Sequence, residues 1–224
     1  MSTTVPELQA ASDDRSLVRK ISRAVAFLAR PDVELPESLT DETGALQELP
    51  AGWLPVGIVT PEGYTFGNDI EKEDIDALGY ASPVRSDIVR VARSVSFTAL
   101  EYGRRHMLEL KHGVDLSGVS QSAGGEVTFD EPDLPIGEEW RLLVIGQDGP
   151  ASAEWLLGKG YPRVKLASVG EETWSREGGK VQEYTLDVFT DDDLGTPVRH
   201  YIAGTGAAAA SDVLGFEGED ESGN

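Results

Sequence analysis

The chain has 224 residues, of which 40 are acidic and 19 are basic, so its formal net charge at pH 7 is −21. This balance argues against a nucleic-acid-binding protein, which needs a basic surface, and against an anionic membrane surface as partner. Acidity also keeps proteins soluble, so the charge alone identifies no function. The chain contains no cysteine, which excludes disulfides and thiolate chemistry.

The two ends of the chain differ in composition from its middle. The N-terminus lacks the basic and apolar regions of a signal peptide, and no apolar stretch is long enough to cross a membrane. We therefore expect the protein to stay in the cytoplasm until it assembles. Residues 1–16 are predicted to form an arm and residues 17–204 a single β-domain. Residues 205–224, which are rich in glycine and alanine and then acidic, are predicted to form a disordered tail.

Alternating apolar and polar residues between these ends predict a mainly β protein. Acid-rich loops are expected at residues 31–50 and 68–80, and a turn at Pro61-Glu62-Gly63. Residues 102–112 are predicted to be a short helix that Gly113 ends. Strands are expected at residues 24–29, 53–66 (with the turn inside), 84–100, 140–145, 162–169, 181–190 and 198–202.

Motifs for catalysis, cofactor binding or metal binding are missing from the sequence. His106 and His112 fall on different sides of one helix and His200 lies in a predicted strand, so we expect all three to be surface or interface histidines. No nucleophile elbow or phosphate-binding glycine loop occurs. The run from Asp191 to Gly195 begins like a calcium loop, but its glycine comes one position early and the closing glutamate is missing. An aspartate-rich turn is the alternative there. We therefore expect no catalytic, cofactor or metal residues.

Two other function classes stay open at this point. Paired carboxylates are the catalytic groups of polysaccharide hydrolases, although a chain with 40 acidic residues places such pairs close together by chance. Tryptophans can line the groove of a carbohydrate-binding or partner-binding β-sandwich domain, but more often they pack in a core or an interface. The four tryptophans are Trp53, Trp140, Trp155 and Trp174.

The segment between residues 22 and 113 resembles a known family. It starts with the strand and proline-rich loop RAVAFLARPDVELPESL, then has the hairpin motif GIVTPEG from Gly57 and the acid-rich EKEDIDALGY. A strand led by Pro83, the pair Leu100-Glu101 and a helix from Gly103 follow. This order resembles the major tail proteins, or tail-tube subunits, of long-tailed bacteriophages that infect actinobacteria. Residues 137–204 resemble them only as an ordered series of strands.

The resemblance implies a β-sandwich or small barrel of two packed antiparallel sheets, with one short flanking α-helix, long loops and flexible termini. It implies a structural protein of the virion tail, made in the host cytoplasm, that is no enzyme. Its partners would be further copies in stacked hexameric rings, a tape-measure protein inside the tube, and the terminator and baseplate or tip proteins. DNA would pass through the tube during ejection. A tail terminator or connector protein of the same β-fold is the alternative.

The acidic excess has a use in such a tube. Carboxylates in the lumen would repel DNA phosphates over about a Debye length, ~8 Å at physiological salt, so that the genome slides and does not stick. We predict that part of the acidic excess faces the lumen. The candidates are Glu71, Glu73, Asp74 and Asp76 on a loop, and Glu183 and Asp187 on a strand. No membrane, metal or cofactor enters this prediction.

Overall fold

The computed structural model describes residues 3–216 and is mainly β, as predicted. The helices within this range are α1 (Val5–Ser12), α2 (Arg105–His112), α3 (Thr205–Ala209) and α4 (Ser211–Leu214). None of them is both long and apolar enough to span a membrane. The strands are β1 (Arg23–Ala29), β2 (Leu54–Pro55), β3 (Val59–Ile75), β4 (Arg85–Ala99), β5 (Glu139–Asp148), β6 (Trp155–Val169), β7 (Gln182–Val188) and β8 (Arg199–Ala203).

The strands form one antiparallel sheet that folds into two layers. Its order is β2-β1-β5-β6-β7-β4-β3, and β8 also pairs with β6. The first half of β6 pairs with β5 and β8 and its second half with β7, and register shifts in its pairings let it bend between the layers. Phe66 of β3 stacks on Tyr161 of β6 with ring centroids 6.3 Å apart, so the end strand β3 faces the central strand β6 across the two layers. The predicted sandwich-like packing is therefore confirmed, with both layers drawn from a single sheet.

The main core lies between the layers. Alternate side chains of β1, β4, β5, β6 and β7 point into it, and Met107 and Leu110 of α2 close one side. Trp140 is 1% exposed and Leu142 is fully buried. Burial of one such leucine contributes about 1.5–3 kcal/mol, so these alternating rows supply much of the stability of the fold.

A second cluster covers the outer surface of the first layer. Leu35, Leu39 and Trp53 pack there against residues of β5, β6 and β8 that include Ile145 and Tyr201. The hydroxyl of Tyr201 donates a hydrogen bond to the carbonyl of Pro36 at 2.5 Å. Residues 31–50, predicted as an acidic loop, are indeed free of helix and strand but lie against the sheet. Leu35 and Leu39 are buried, while the acidic residues of this segment are exposed.

Residues 59–75 depart most from the sequence prediction. The turn expected at Pro61-Glu62-Gly63 lies inside β3, where a register shift between Val59 and Tyr64 takes up the extra residues. The loop expected at residues 68–80 is wrong over residues 68–75, because β3 continues to Ile75 in register with β4. Acidic residues are poor strand formers by themselves, and here the cross-strand pairing outweighs that preference.

Helix α2 is tied to the sheet by a buried ion pair. The helix ends at Gly113, whose φ of 58° is left-handed, as the sequence predicts. Glu109 is 4% exposed and accepts a hydrogen bond from Arg30 of the chain after β1 at 2.8 Å. The guanidinium of Arg30 also lies 3.9 Å from the centroid of the Trp140 ring. Because a buried carboxylate without a partner is costly, this contact fixes the helix against β1 and β5.

Short helices lie near both ends of the described residues. Residues of the predicted arm form α1, which has no buried residue. Residues 205–214, predicted as the start of a disordered tail, form α3 and α4, because Gly206 and Ala207 are small enough to pack beside Trp155. The rest of the predicted tail, residues 217–224, lies outside the described residues.

The two ends of the family-like motif touch each other. The carboxylate of Glu101 accepts hydrogen bonds from the backbone N–H of Ile58 at 2.8 Å and from Nε of Arg104 at 2.6 Å. Both hydrogen bonds hold the pKa of Glu101 below its usual value, and the one from the backbone N–H of Ile58 has the larger effect. Gly57 has φ of 96°, and a Cβ there would lie 2.6 Å from Cδ of Glu101. Glycine and glutamate are therefore both required where β3 begins.

We expect Gly57→Ala to destabilise the protein more than Gly63→Ala does. Both glycines have positive φ, which costs about 1–2 kcal/mol for alanine, but a Cβ at Gly63 meets nothing within 4 Å whereas one at Gly57 clashes with Glu101. Urea titration of the free energy of unfolding compares the two variants. Equal losses would contradict the role given to the Glu101 contact.

His106 is buried in α2, whereas the sequence predicts a surface or interface histidine. It is 8% exposed, and its Nε2 donates to the carbonyl oxygen of Pro55 at 2.9 Å. Burial lowers the pKa of His106, although the hydrogen bond to Pro55 opposes this effect. The imidazole is therefore neutral in the folded protein at neutral pH.

We expect stability to fall as pH drops below about 6.5, because the unfolded chain then binds a proton at His106 that the folded chain resists. His106→Gln keeps a donor for Pro55 and should remove this part of the pH dependence. The measurement is the free energy of unfolding at pH 7.5 and pH 5.5, with the exposed His200→Gln as control. An unchanged pH dependence in His106→Gln would rule out this explanation.

Candidate assembly surface

A two-stranded hairpin projects from the body of the protein. Beyond Arg93, which pairs with Val188 of β7, strand β4 pairs only with β3. We call residues 69–75 and 85–92, with the connection between them, the outer hairpin. At about 3.3 Å per residue it extends ~20 Å beyond Arg93, the last residue of β4 that pairs with both β3 and β7. A lone two-stranded ribbon is marginally stable in water, so such a projection is typical of a segment that a partner completes.

One face of the outer hairpin, here called the inner face, continues the row of side chains that fills the core. Phe66 pairs directly with the buried Val95. After the polar pair Asn68 and Arg93, the same face continues with Ile70 paired with Val91 and Lys72 paired with Ile88. Ile70 is 44% exposed and Ile88 is 61% exposed. Within residues 3–216, the first layer therefore covers the beginning of this apolar row and leaves its end open.

The opposite face, here called the acidic face, runs across three strands. Thr98 of β4 pairs with Glu183 of β7, and Ser94 of β4 pairs with Asp187 of β7. Farther along the hairpin, residues of β4 from Ala92 onward pair with three acids of β3, namely Asp69, Glu71 and Glu73. Arg90 lies 3.1 Å from one of these carboxylates, that of Glu71, but both side chains are more than half exposed and the pair contributes little. The acids of this face are Asp69, Glu71, Glu73, Asp87, Glu183 and Asp187.

The predicted lumen residues are therefore divided by strand geometry. Glu71, Glu73, Glu183 and Asp187 share the acidic face, although β3 and β7 are far apart in sequence. Asp74 has the opposite parity and lies on the inner face, and Asp76 lies in the connection beyond β3. The sequence prediction missed Asp69. Asp69 and Glu71 lie on one face only if residues 68–75 form a strand, and the sequence predicted a loop there.

A groove of about 800 Å³ opens at the other end of β3. Its floor is formed by inward-facing residues of the first layer, and residues 59–64 of β3 form one wall. Lys159 lies in it with Nζ 3.8 Å from the centroid of the Phe66 ring, and burial lowers the pKa of this lysine. No carboxylate of the described residues is within salt-bridge distance of Lys159. The apolar lining includes Ala24, Val59, Val144, Leu157 and Ile202.

The remaining candidates from the sequence do not meet. His112 lies 3.2 Å from Glu131, far in the chain from His200 of β8, and His106 is buried beside Pro55. Within the described range, histidines and carboxylates form no group that could hold a metal ion. The backbone N–H groups of Asp193 and Leu194 donate to the side chain of Asp191, which is the arrangement of an aspartate-rich turn.

The tryptophans occupy separate places and line no common groove. Trp140 lies in the main core, and Trp53 belongs to the second cluster. Trp155 is 6% exposed and stacks under the guanidinium of Arg19 at 4.5 Å. Trp174 is 82% exposed in the connection between β6 and β7. Core packing therefore accounts for three of the four.

Comparison with known proteins gives little further guidance. No protein-family model matches the sequence, and no curated protein matches it. The chain is similar to a solved cryo-EM structure described as the anti-feeding prophage cap, an AFP tube terminating cap. The identity is 12% over 85% of this chain and 96% of that chain, and the TM-score is 0.42. A TM-score of this size does not establish a shared fold.

Proposed function

We propose that the protein is a structural subunit of a bacteriophage tail that assembles with copies of itself into stacked hexameric rings. The observation that carries the proposal is the apolar inner face of the outer hairpin. Ile70 and Ile88 continue the core row into solvent, and the remaining described residues leave them uncovered. Exposed apolar rows of this kind mark interaction sites in soluble proteins.

The long sheet edge at β3 adds to this support. β3 has 17 residues and stands at the end of the strand order, so its outer N–H and C=O groups lack a neighbouring strand within the described residues. Natural proteins guard such edges with charges, and Glu62, Glu71 and Glu73 lie along this one. An edge that is both long and charged suits pairing with one specific partner better than indiscriminate aggregation.

The resemblance to tail-tube subunits directs the proposal toward a tail. Its motif residues Gly57 and Glu101 meet at the start of β3, where they set the path of the strand that becomes the hairpin. In the proposed assembly the partners are further copies, a tape-measure protein and the terminator and baseplate or tip proteins. The protein acts in the virion tail after synthesis in the host cytoplasm, and no enzymatic activity is part of the proposal.

The acidic face is proposed to line the lumen through which DNA passes. Its carboxylates are exposed and lie on one side of the second layer. Arg85 and Arg90 of β4 share this face, and Lys165 of β6 pairs with Asp187. Repulsion of DNA phosphates by such a surface acts over about a Debye length, ~8 Å, which suits a narrow channel. Asp74 and Asp76 are no longer part of this lining, because they lie off the acidic face.

We expect the purified protein to form rings or tubes of about six-fold symmetry in negative-stain electron microscopy. Ile88→Ser should abolish them, because it removes an exposed apolar contact, while changing the free energy of unfolding by no more than about 0.5 kcal/mol. Trp174→Ser, at an exposed residue outside the hairpin, should leave assembly intact. A protein that stays monomeric at all concentrations, including with preformed tails as nuclei, would refute the proposal.

The same images separate the tube subunit from the alternative. A tail terminator or connector protein closes one end of a tube, so it should stop at single rings. A tube subunit should go on to stacks of many rings. Loss of assembly in both Ile88→Ser and Trp174→Ser would show that the effect does not depend on the hairpin.

We expect tubes with lysine at four positions of the acidic face to retain double-stranded DNA at low salt and to release it as salt rises. The positions are Glu71, Glu73, Glu183 and Asp187. The control carries the same number of lysines at exposed acids off this face, namely Glu37, Glu42, Glu126 and Glu177. Co-sedimentation of DNA with tubes measures retention, and equal retention by both variants would exclude a lumen position for the acidic face.

A further inference from the structure

We propose that the inner face of the outer hairpin of one copy docks into the groove of a second copy, with Ile88 on the apolar floor and Asp74 beside Lys159. The proposal rests on the self-assembly proposed above and adds the surface that receives the hairpin. The contact is head-to-tail, since the two surfaces are different parts of the same chain.

The two surfaces have the same physical origin. In the first layer, the inward-facing residues Leu157 and Ile202 pair directly across β6 and β8, and Ile202 is 52% exposed. In the second layer, the inward-facing Ile70 and Ile88 run out from the core on the hairpin and are similarly exposed. Each layer therefore has inward-facing apolar residues that the other layer of the same chain does not cover.

The outer hairpin of one chain cannot dock into the groove of the same chain. The wall of the groove includes β3 only up to Phe66, while β3 continues to Ile75 before the chain turns. Nine residues of extended strand span about 30 Å, so the end of the hairpin lies well away from its own groove. The hairpin of another copy is the segment of matching chemistry that remains.

Charge complements the apolar match. Lys159 projects into the groove and has the Phe66 ring beside it. Glu62 also lines the groove, but no carboxylate of the described residues lies within salt-bridge distance of Lys159. Its lowered pKa shows that the burial of the ammonium is not offset by an acid. Asp74 is exposed on the same face as Ile88 and forms no ion pair among the described residues. A carboxylate brought in beside Ile88 is what this lysine lacks.

The size of the groove suits the proposed occupant. Its volume of about 800 Å³ is in the range of pockets that enclose small ligands, and its lining is chiefly apolar. A few hairpin side chains fit such a space, whereas a folded domain does not. Residues 59–64 border it through the bulge in β3, so the motif around Gly57 and Glu101 shapes one of its walls.

Engineered disulfides test the contact directly, because the chain contains no cysteine of its own. Ile88→Cys with Ile202→Cys should give a ladder of covalent multimers on a non-reducing gel under assembling conditions, since a disulfide needs Cα atoms within about 7 Å. Glu71→Cys with Ile202→Cys is the matched control, as Glu71 lies on the opposite face of the same hairpin. A ladder of equal strength in the control, or its absence in the first variant, would overturn the proposal.

Charge reversal gives a second, independent readout. Asp74→Lys and Lys159→Glu should each prevent assembly, and the two together should restore it. Asp76→Lys with Lys159→Glu should not, because Asp76 lies beyond the paired strands. Urea titration establishes that each variant is folded. If neither pair restores assembly, the docking of Asp74 on Lys159 is wrong.

The two proposals fail in different ways. If the unmodified protein forms tubes but the disulfide and the charge reversal both fail, the docking site is wrong and the tail function stands. If the unmodified protein never assembles, even on preformed tails, both proposals fail together.

Discussion

The in-register pairing of β3 with β4 is the constraint on which the rest of the molecule depends. Each direct pair places two side chains on one face, so one register assigns Val95 and Ile88 to the inner face and Ser94 and Arg90 to the other. A slip by one residue would bury acids and expose the core row. The bulges between Val59 and Tyr64 and between Glu71 and Lys72 keep this assignment in phase along the whole hairpin.

Sequence patterns predicted the elements whose local signal agrees with their final environment. The alternation in β4, β6 and β7 and the helix ended by Gly113 were readable from residue types. Residues 68–75 were misread because four of their side chains are carboxylates, and the apolar partners Val91 and Ile88 that pair with them lie on another strand. His106 was misjudged for a similar reason, since its partner Pro55 is distant in sequence.

The candidate surfaces were predictable only in part. Glu183 and Asp187 follow from alternation within β7, but their joining with Glu71 and Glu73 into one face requires the strand order β7-β4-β3. The groove was beyond sequence reasoning altogether, because it depends on the bend of β6 that sets one layer against the other. Lys159 illustrates the difficulty: in sequence it is a lysine between two glycines, outside the strand predicted at residues 162–169, and only the fold places it against Phe66.

The proposed self-assembly has to reconcile two opposed properties of the chain. Its apolar hairpin face favours association, while its net charge of −21 makes any two copies repel each other at a distance. Repulsion of this kind is screened within about 8 Å at physiological salt, whereas apolar contact acts only when surfaces touch. In the proposed assembly, copies would therefore stay apart until a specific pairing brings an acid such as Asp74 to a half-buried cation such as Lys159. The combination favours orderly addition to a correctly shaped end over random clustering in solution.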